Sequence, residues 1–325
     1  MPEDAAAWTL GKLIEWTRGF FEKKGIPQPR LEAEILLAHV LGLGRIDLYL
    51  KYDQPVGEAE RAAYRDLVRR RAGREPARYL VGGCEFMSLA MKVTPACLIP
   101  RPETELLVEE VLRLAGVRSP RRPAMGAPAG QYARPYWAAG AAAADGPAAP
   151  TAPLAAIDLC TGCGCVAVSL AASLPHGRVT ATDISPEALA VARTNAEAHG
   201  VAGRLTLLEG DLYEPLDAAD VQPADFLAAN PPYVAEAEWE SLAPEIRLHE
   251  PRAALVAGPA GTEIIERILK GAPAYLKPGG ALLVEIGDKQ GAAVAQKAAD
   301  VRGLAGVRIL KDYAGLDRIL LARKA

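Results

Sequence analysis

The spacing of hydrophobic residues divides the chain into a helical first part and a strand-rich second part. Between residues 8 and 78, apolar side chains recur every three or four positions, as in Leu10, Leu13 and Ile14. This spacing is typical of amphipathic helices packed on a common core. We therefore predict a small helical N-terminal domain over residues 1–78.

An arginine-rich helix is predicted near the end of that domain, from Glu58 to Arg71. Acidic neighbours are mixed with the arginines, so we expect a solvated helix face. The alternative is a docking surface for a protein or RNA partner. The arginines concerned are Arg61, Arg65, Arg69, Arg70 and Arg71.

Two segments of different composition interrupt the helix and strand patterns. Residues 79–98 hold short apolar runs around Tyr79, Phe86 and Met91, which predict a hairpin linker. Residues 117–153 are almost wholly Ala, Pro, Gly and Arg and lack apolar periodicity. We predict a disordered insertion there. It falls inside the second domain, which we place at residues 99–325.

Short apolar runs alternate with helical segments from residue 154 to the end of the chain, which predicts a doubly wound α/β fold. Helix boundaries support this pattern, because Ser185 stands where an N-cap is expected, Pro186 follows it, and Gly200 lies past the last turn. The seven predicted strands are residues 154–159, 178–183, 205–208, 225–229, 281–286, 307–310 and 317–321.

Composition and charge narrow the class of protein. The chain has 325 residues and a net charge of −3, with half of its residues apolar, so two domains are expected and a global basic field for nucleic acid is absent. The sequence has no apolar run of about 18 residues and no signal-peptide pattern at its start. Five cysteines, an odd number, fit a reducing compartment, so we expect a cytoplasmic protein.

A glycine-rich turn after the first predicted strand of the sheet indicates a ligand site. Gly162 and Gly164 allow a ligand to approach the backbone closely, although the third glycine of the dinucleotide fingerprint is missing. Asp183 ends the next strand, where a carboxylate accepts hydrogen bonds from ribose hydroxyls. The sequence lacks a phosphate-binding G-x-x-x-x-G-K-[ST] loop, so we predict a nucleoside ligand. A nicotinamide dinucleotide is also compatible with these residues.

Three cysteines share that turn, namely Cys160, Cys163 and Cys165. No second Cys or His cluster in the sequence completes four ligands for a metal ion, and none of the four histidines lies beside a motif. We therefore predict that the protein binds no metal. The cysteines are interpreted as small side chains that fill the turn.

A polar and stiff turn, Asn230 to Tyr233, follows the fourth predicted strand. Pro231 and Pro232 fix two φ angles and remove two backbone donors, so the carbonyl groups of the turn remain available as acceptors. An amide, a bare carbonyl and an aromatic face suit a planar group that carries NH2, either a side-chain amide or an aminopurine. The other interpretation is a surface turn, because Asn-Pro is a common turn starter.

These motifs together resemble the PrmC/HemK family of release factor glutamine methyltransferases, and the resemblance extends over nearly the whole chain. The Asn-Pro-Pro-Tyr motif alone is shared with methyltransferases that act on adenine and other amino groups. Its combination with a helical N-terminal domain and with the stretch Leu98 to Glu105 is much more specific. Further matching stretches are residues 75–82, 158–164, 183–189, 250–255, 276–280, 285–291 and 312–318.

The resemblance implies a seven-stranded, Rossmann-like class I methyltransferase sheet, with a helical substrate-recognition domain joined to it by the hairpin. It also implies S-adenosyl-L-methionine as the methyl donor and class 1 peptide chain release factors as partners. The acceptor would be the side-chain nitrogen (N5) of the glutamine in their Gly-Gly-Gln motif. The implied donor-binding residues are Cys160, Thr161, Gly162, Cys163, Gly164, Asp183, Asp211, Leu212 and Asn230. The implied substrate-binding residues are Asn230, Pro231, Pro232 and Tyr233, of which Asn230, Pro231 and Tyr233 would be catalytic.

Three other functions share some of these motifs. A glutamine methyltransferase of a ribosomal protein would share nearly all of them. An adenine-N6 methyltransferase would share the Asn-Pro-Pro-Tyr turn, but the near-neutral charge and the lack of a basic recognition domain argue against a nucleic-acid substrate. A non-catalytic nucleoside-binding module would not need that turn beside an intact donor site.

Overall fold

The computed structural model describes residues 8–117, 153–174 and 176–325, and their contacts divide the chain into two compact units. Among the described residues, the first unit contains those up to Gly83 and also the segment Ala243–His249, and the second contains the others. The predicted boundaries, which are contiguous, did not anticipate that segment. The predicted disordered insertion is untested, because residues 118–152 lie outside the described residues.

The first unit is helical, as predicted. Thr9 caps the first helix by accepting a hydrogen bond from the Lys12 N–H, and Pro29 opens the second. The apolar faces of the helices meet in one core that includes Ile14, Phe21 and Leu36. The helices are α1 (Leu10–Lys23), α2 (Pro29–Leu41), α3 (Arg45–Leu50), α4 (Glu58–Ala72), α5 (Ala77–Val81) and α10 (Pro244–His249).

Arg71 departs from the solvated face expected of α4. Its guanidinium is buried, with Nε 2.7 Å from an oxygen of Glu32 and Nη1 3.2 Å from Glu245. Arg74 reaches the same Glu245 oxygen at 3.1 Å. The late segment that carries Glu245 is therefore joined to the helical unit by ion pairs that no sequence pattern indicated.

The second unit is built on a mixed seven-stranded sheet, which confirms the predicted doubly wound α/β fold. Its strands are β3 (Ala155–Leu159), β4 (Arg178–Asp183), β5 (Leu205–Glu209), β6 (Ala224–Ala229), β9 (Leu276–Glu285), β10 (Leu304–Lys311) and β11 (Asp317–Lys324). The strand order is β10-β11-β9-β6-β3-β4-β5. The first five strands in chain order run parallel, and β11 is antiparallel to both β9 and β10.

Helices of the second unit precede these strands or connect them along the chain. They are α6 (Glu105–Leu114), α7 (Cys165–Ser173), α8 (Pro186–Ala198), α9 (Glu214–Ala218), α11 (Glu263–Tyr275) and α12 (Gly291–Ala299). The helix α8 has the predicted start, because the Ser185 hydroxyl accepts the N–H of Ala188 and Pro186 opens the first turn.

Several details differ from the sequence predictions. The predicted hairpin exists as β1 (Gly83–Phe86) and β2 (Leu89–Lys92), but Tyr79 lies in α5, where Gly82 ends the helix in the left-handed conformation. β9 begins at Leu276 rather than residue 281, because it extends through Pro278 and two glycines that read as a loop. β10 begins three residues earlier than predicted. A short parallel pair, β7 (Val234–Ala235) and β8 (Val256–Gly258), was not anticipated.

The order of strands reverses beside β3, because β4 continues the sheet on one side while β6 returns to the other. Leu159 at the end of β3 pairs with Ala229 at the end of β6. The turns that start at Cys160 and Asn230 therefore leave the sheet side by side. Such reversal points are where open α/β sheets bind ligands.

The described residues include no helix with the length and hydrophobicity needed to cross a membrane.

Candidate functional site

A cavity of about 540 Å³ lies at the carboxyl ends of β3, β4 and β6, within the second unit. This volume is typical of small-molecule sites, which span roughly 300–1,000 Å³. The predicted site residues that line it are Cys160, Thr161, Gly162, Cys163, Asp183, Asp211, Leu212, Asn230 and Pro232. Gly164, Pro231 and Tyr233 are not part of the wall that the described residues form.

The turn after β3 is held in place by the buried carboxylate of Asp158. Asp158 accepts a hydrogen bond from the Thr161 hydroxyl at 2.6 Å and one from the Ala167 N–H at 3.1 Å. Burial raises the pKa of Asp158 to about 7. Gly162 and Gly164 have φ angles of +57° and +80°, which side chains with a Cβ rarely adopt. The turn is therefore shaped by two glycines and one buried acid.

The two glycines differ in what surrounds them, which allows a matched test. A Cβ on Gly164 would stand 2.9 Å from the Ala192 Cβ, whereas a Cβ on Gly162 would meet nothing within 4 Å. Both alanine variants lose the left-handed preference of glycine, but only Gly164→Ala also clashes with α8. We expect Gly164→Ala to lower the free energy of unfolding by about 1–2 kcal/mol more than Gly162→Ala. Urea denaturation of both variants measures this difference, and equal losses would contradict the close approach of the turn to α8.

Asp183 connects the glycine turn to the start of α8. One carboxylate oxygen accepts the N–H of Gly162 at 2.8 Å, and the other accepts the N–H of Ser185 at 3.0 Å. Burial raises the pKa of this carboxyl. Each oxygen can accept a further hydrogen bond, so the carboxylate can hold hydroxyl groups of a ligand while it holds the turn.

Asp211 and Leu212 border the cavity after β5. The backbone of Leu212 is fixed by the Thr182 hydroxyl, which donates to its carbonyl oxygen at 3.0 Å. Asp211 forms an ion pair with Arg267, with 2.8 Å between the charged atoms. Leu212 contributes an apolar residue to the cavity wall.

Asn230 follows β6 directly, and the nitrogen of its side-chain amide forms a hydrogen bond. Its Nδ2 donates to the Thr104 hydroxyl oxygen at 3.1 Å, and both residues line the cavity. Because the nitrogen is used in this way, Oδ1 is the end of the amide left to accept hydrogen bonds from a ligand. Asn230 is therefore placed as an acceptor at the cavity wall.

The rest of the turn is fixed mainly through its backbone. The Tyr233 N–H donates to the Leu255 carbonyl at 3.1 Å, and the Tyr233 carbonyl accepts from Gln290 at 2.9 Å. Burial raises the pKa of the Tyr233 phenol to about 12, so the ring is neutral at physiological pH. Pro231 is buried.

Glu250 connects two parts of the cavity wall. It lies in one of the stretches that carry the family resemblance, but no role was predicted for it. Its buried carboxylate accepts the Ile99 N–H at 3.2 Å and forms an ion pair with Arg101 at 2.6 Å. Leu98 on one side of this link and Pro251 on the other line the cavity. Arg247, His249 and Arg252 surround Glu250 in the sequence, so the local pattern does not mark it as a buried carboxylate that must be paired.

The three cysteines of the turn are free thiols, of which Cys163 and Cys165 are buried and Cys160 is partly exposed. Cys160 and Cys163 line the cavity, and burial raises the pKa of the Cys160 thiol. A hydrogen bond with Cys165 raises the pKa of the Cys163 thiol further. Within the described ranges, His, Cys, Asp and Glu form no group of three or more suited to a metal ion.

Comparison with known proteins gives full-length similarity to one group of enzymes. Family models described as the PrmC N-terminal domain and the methyltransferase small domain match residues 12–82 and 150–258. A release factor glutamine methyltransferase from Geobacter sulfurreducens is 40% identical over 323 residues, which cover 99% of each chain. Enzymes of the same name from Rhodopirellula baltica and Chlorobaculum tepidum are 40% and 41% identical, each over 98% of this chain and 97% and 98% of their own.

Proposed function

Because this chain belongs to the family of release factor glutamine methyltransferases, we propose that it methylates the glutamine of the Gly-Gly-Gln motif in class 1 peptide chain release factors. The methyl group goes to the side-chain amide nitrogen, N5, and S-adenosyl-L-methionine is the donor. The observation that carries this proposal is the Asn230 amide, whose oxygen end is left as an acceptor beside a cavity of nucleoside size.

The residues of the cavity fit the proposed donor. An open space lies where a Cβ on Gly162 would be, so the backbone of the turn is accessible to a bulky ligand. Asp183 would hold the ribose hydroxyls, and Asp211 with Leu212 would border the adenine. When bound, S-adenosyl-L-methionine supplies an electrophilic methyl group on a sulfonium centre.

The acceptor nitrogen needs orientation more than activation. A glutamine amide is a weak nucleophile because its lone pair is delocalised into the carbonyl group, so holding it in line with the methyl group is the main contribution of the protein. Asn230 Oδ1 and the Pro231 carbonyl would each accept one of its N–H groups. Fixed acceptors of this kind also stabilise the positive charge that develops on the nitrogen during transfer.

Pro231 and Tyr233 contribute to this mechanism by resemblance alone. Neither lines the cavity that the described residues form, although Pro232 between them does. We propose that the Pro231 carbonyl, rather than its ring, meets the substrate and that the neutral Tyr233 ring stacks on the amide plane. The near-neutral charge of the chain continues to predict that no nucleic acid is a direct substrate.

Mass spectrometry of purified substrates tests this function. Incubation of a class 1 release factor with this protein and S-adenosyl-L-methionine should add one methyl group to the Gly-Gly-Gln peptide. A release factor in which that glutamine is replaced by glutamate serves as the matched control and should remain unmodified. Ribosomal proteins and an adenine-containing oligonucleotide are assayed in parallel, and methylation of either one without methylation of the release factor would refute the proposal.

A further inference from the structure

A buried acid at the end of β9 has no role in the mechanism so far. Glu285 is 1% exposed, and its Oε2 atom has no hydrogen-bonding partner among the described residues. Leaving a carboxylate oxygen buried and unpaired is costly, so such a group in a folded protein calls for an explanation. Its position supplies one, because β9 lies beside β6 in the sheet.

Strand register brings Glu285 next to the Asn230 turn. Val284 pairs with Ala229, so the residues that follow them leave the sheet at neighbouring positions. Thr104, which is 1% exposed, connects the two side chains. Its hydroxyl oxygen accepts from Asn230 Nδ2 at 3.1 Å, and its side chain lies close enough to Glu285 to lower the pKa of that carboxyl.

The direction of these hydrogen bonds follows from the number of protons available. A threonine hydroxyl has one proton, and an ionised carboxylate can only accept. When Glu285 takes the Thr104 proton, Thr104 can face Asn230 only as an acceptor, so Asn230 must present its NH2 group there. The amide oxygen of Asn230 is then left for the substrate.

We propose that Glu285 is a positioning residue that acts through Thr104 to fix which end of the Asn230 amide faces the acceptor substrate. This inference rests on the proposed function for its consequence in catalysis. It concerns a geometry, however, that is measurable without any substrate. Without Glu285 the Thr104 hydroxyl can also donate to the Asn230 oxygen, which turns the amide nitrogen toward the substrate nitrogen and removes the acceptor.

The ionisation of Glu285 sets the pH at which this arrangement holds. Burial raises its pKa to about 7, against the hydrogen bond from Thr104, which lowers the pKa. The charged or titratable groups that face it are Arg318 on β11, Arg101 and Glu103 before α6, and Tyr233. Arg318 and Arg101 lower its pKa, and Glu103 raises it. The arrangement is therefore complete above pH about 7 and weakens below it.

Stability distinguishes this role from a structural one. The pKa of Glu285 is 4.5 as an ordinary glutamate and rises to about 7 in the folded protein. Its contribution to stability is therefore full below pH 4.5 and is lost as the pH rises through about 7. At pH 8 the ionised Glu285 therefore destabilises the fold. We expect Glu285→Gln to have an unchanged or higher melting temperature at that pH, whereas loss of a structural ion pair would lower it.

Nuclear magnetic resonance measures the amide directly, because the sequence contains only two asparagines, Asn195 and Asn230. Selective ¹⁵N-asparagine labelling therefore gives two side-chain NH2 signals. We expect the Asn230 signal to shift with an apparent pKa near 7 in the wild type and to lose this titration in Glu285→Gln. Asn195, which is bonded to the backbone of Lys92 and Cys163, serves as the internal control and should not move.

Single-turnover methylation at saturating donor and release factor measures the consequence. At pH 8 we expect Thr104→Val and Glu285→Gln each to slow transfer about tenfold, with donor affinity unchanged, and Thr104→Ser to remain within about threefold of the wild type. Glu110→Gln is the matched control, because it changes a different buried carboxylate, which lies on α6. This variant should keep the wild-type rate. The acidic limb of the rate profile should disappear in both Thr104→Val and Glu285→Gln and should remain in Thr104→Ser and Glu110→Gln.

The two proposals fail separately. An Asn230 signal that titrates equally in the wild type and in Glu285→Gln would overturn the positioning role, even if methylation is normal. Wild-type rates in both Thr104→Val and Glu285→Gln would do the same. A wild-type protein that shows the expected titration but does not methylate release factors would overturn the proposed function instead and leave the geometry established.

Discussion

Asn230→Ala should lower methyl transfer to the release factor by about 10²–10³-fold at saturating substrate. Removing one fixed hydrogen-bonding partner of a charge that develops in the transition state costs this much in other enzymes. The loss should appear in the rate constant rather than in the concentration needed for saturation, because the interaction strengthens as the methyl group moves. Single-turnover kinetics with mass-spectrometric detection measures it.

Binding and folding are the controls for the Asn230 variant. The donor should bind with at most a modest loss, because the ribose and adenine contacts are proposed for Asp183, Asp211 and Leu212. The melting temperature should fall only slightly, because among the described residues the side chain makes one hydrogen bond, to Thr104. If methylation stays within about threefold of the wild type, Asn230 is not the acceptor of the substrate N–H and the mechanism is wrong.

Asp183→Ala should weaken binding of S-adenosyl-L-methionine by about 1.5–3 kcal/mol, the scale of losing charge-assisted hydrogen bonds. The structure adds a second cause, because the same carboxylate fixes the N–H of Gly162 in the wall of the cavity. Both effects act on the donor, so the release factor should bind as before. Isothermal titration calorimetry with S-adenosyl-L-methionine measures the change.

Asp183→Asn separates the two roles of that side chain. The amide keeps one acceptor oxygen, which can still hold either the turn or a hydroxyl, but it lacks the charge. We therefore expect an affinity between those of the wild type and of Asp183→Ala. Unchanged affinity in both variants would contradict the assignment of Asp183 to the ribose.

The fold was predictable where local pattern and burial agree. Strands such as residues 155–159 are short apolar runs with turn signals at both ends, and these lie in the centre of the sheet. β9 was predicted too short, because glycines and a proline at residues 278–280 look like a loop although the neighbouring β6 pairs with the strand on both sides of them. Pairing with a strand far away in the sequence decided that boundary.

Site residues were predictable where the residue type and its place in a motif indicate a role. They were not predictable where the role depends on contact with residues distant in the sequence. Gly162, Asp183 and Asn230 were found because a glycine turn and polar residues at strand ends have a meaning in isolation. Glu250 and Glu285 act through other residues, Arg101 and Thr104, which are more than 140 positions away in the sequence. Periodicity and spacing along the chain contain no information about such pairs.

The pairing of Arg71 with Glu245 has a consequence for the order of folding during synthesis. Glu245 is made 174 residues after Arg71, so at about 5–20 residues per second the ribosome supplies it about 9–35 s later. During that interval the buried guanidinium has Glu32 alone as its carboxylate partner from α2, and α10 does not yet exist. A nascent or truncated chain that ends before residue 243 therefore holds an incompletely paired buried charge, which costs about 3–5 kcal/mol when a partner is removed outright. Fragments of the helical unit should accordingly be expressed together with a peptide that covers residues 243–249.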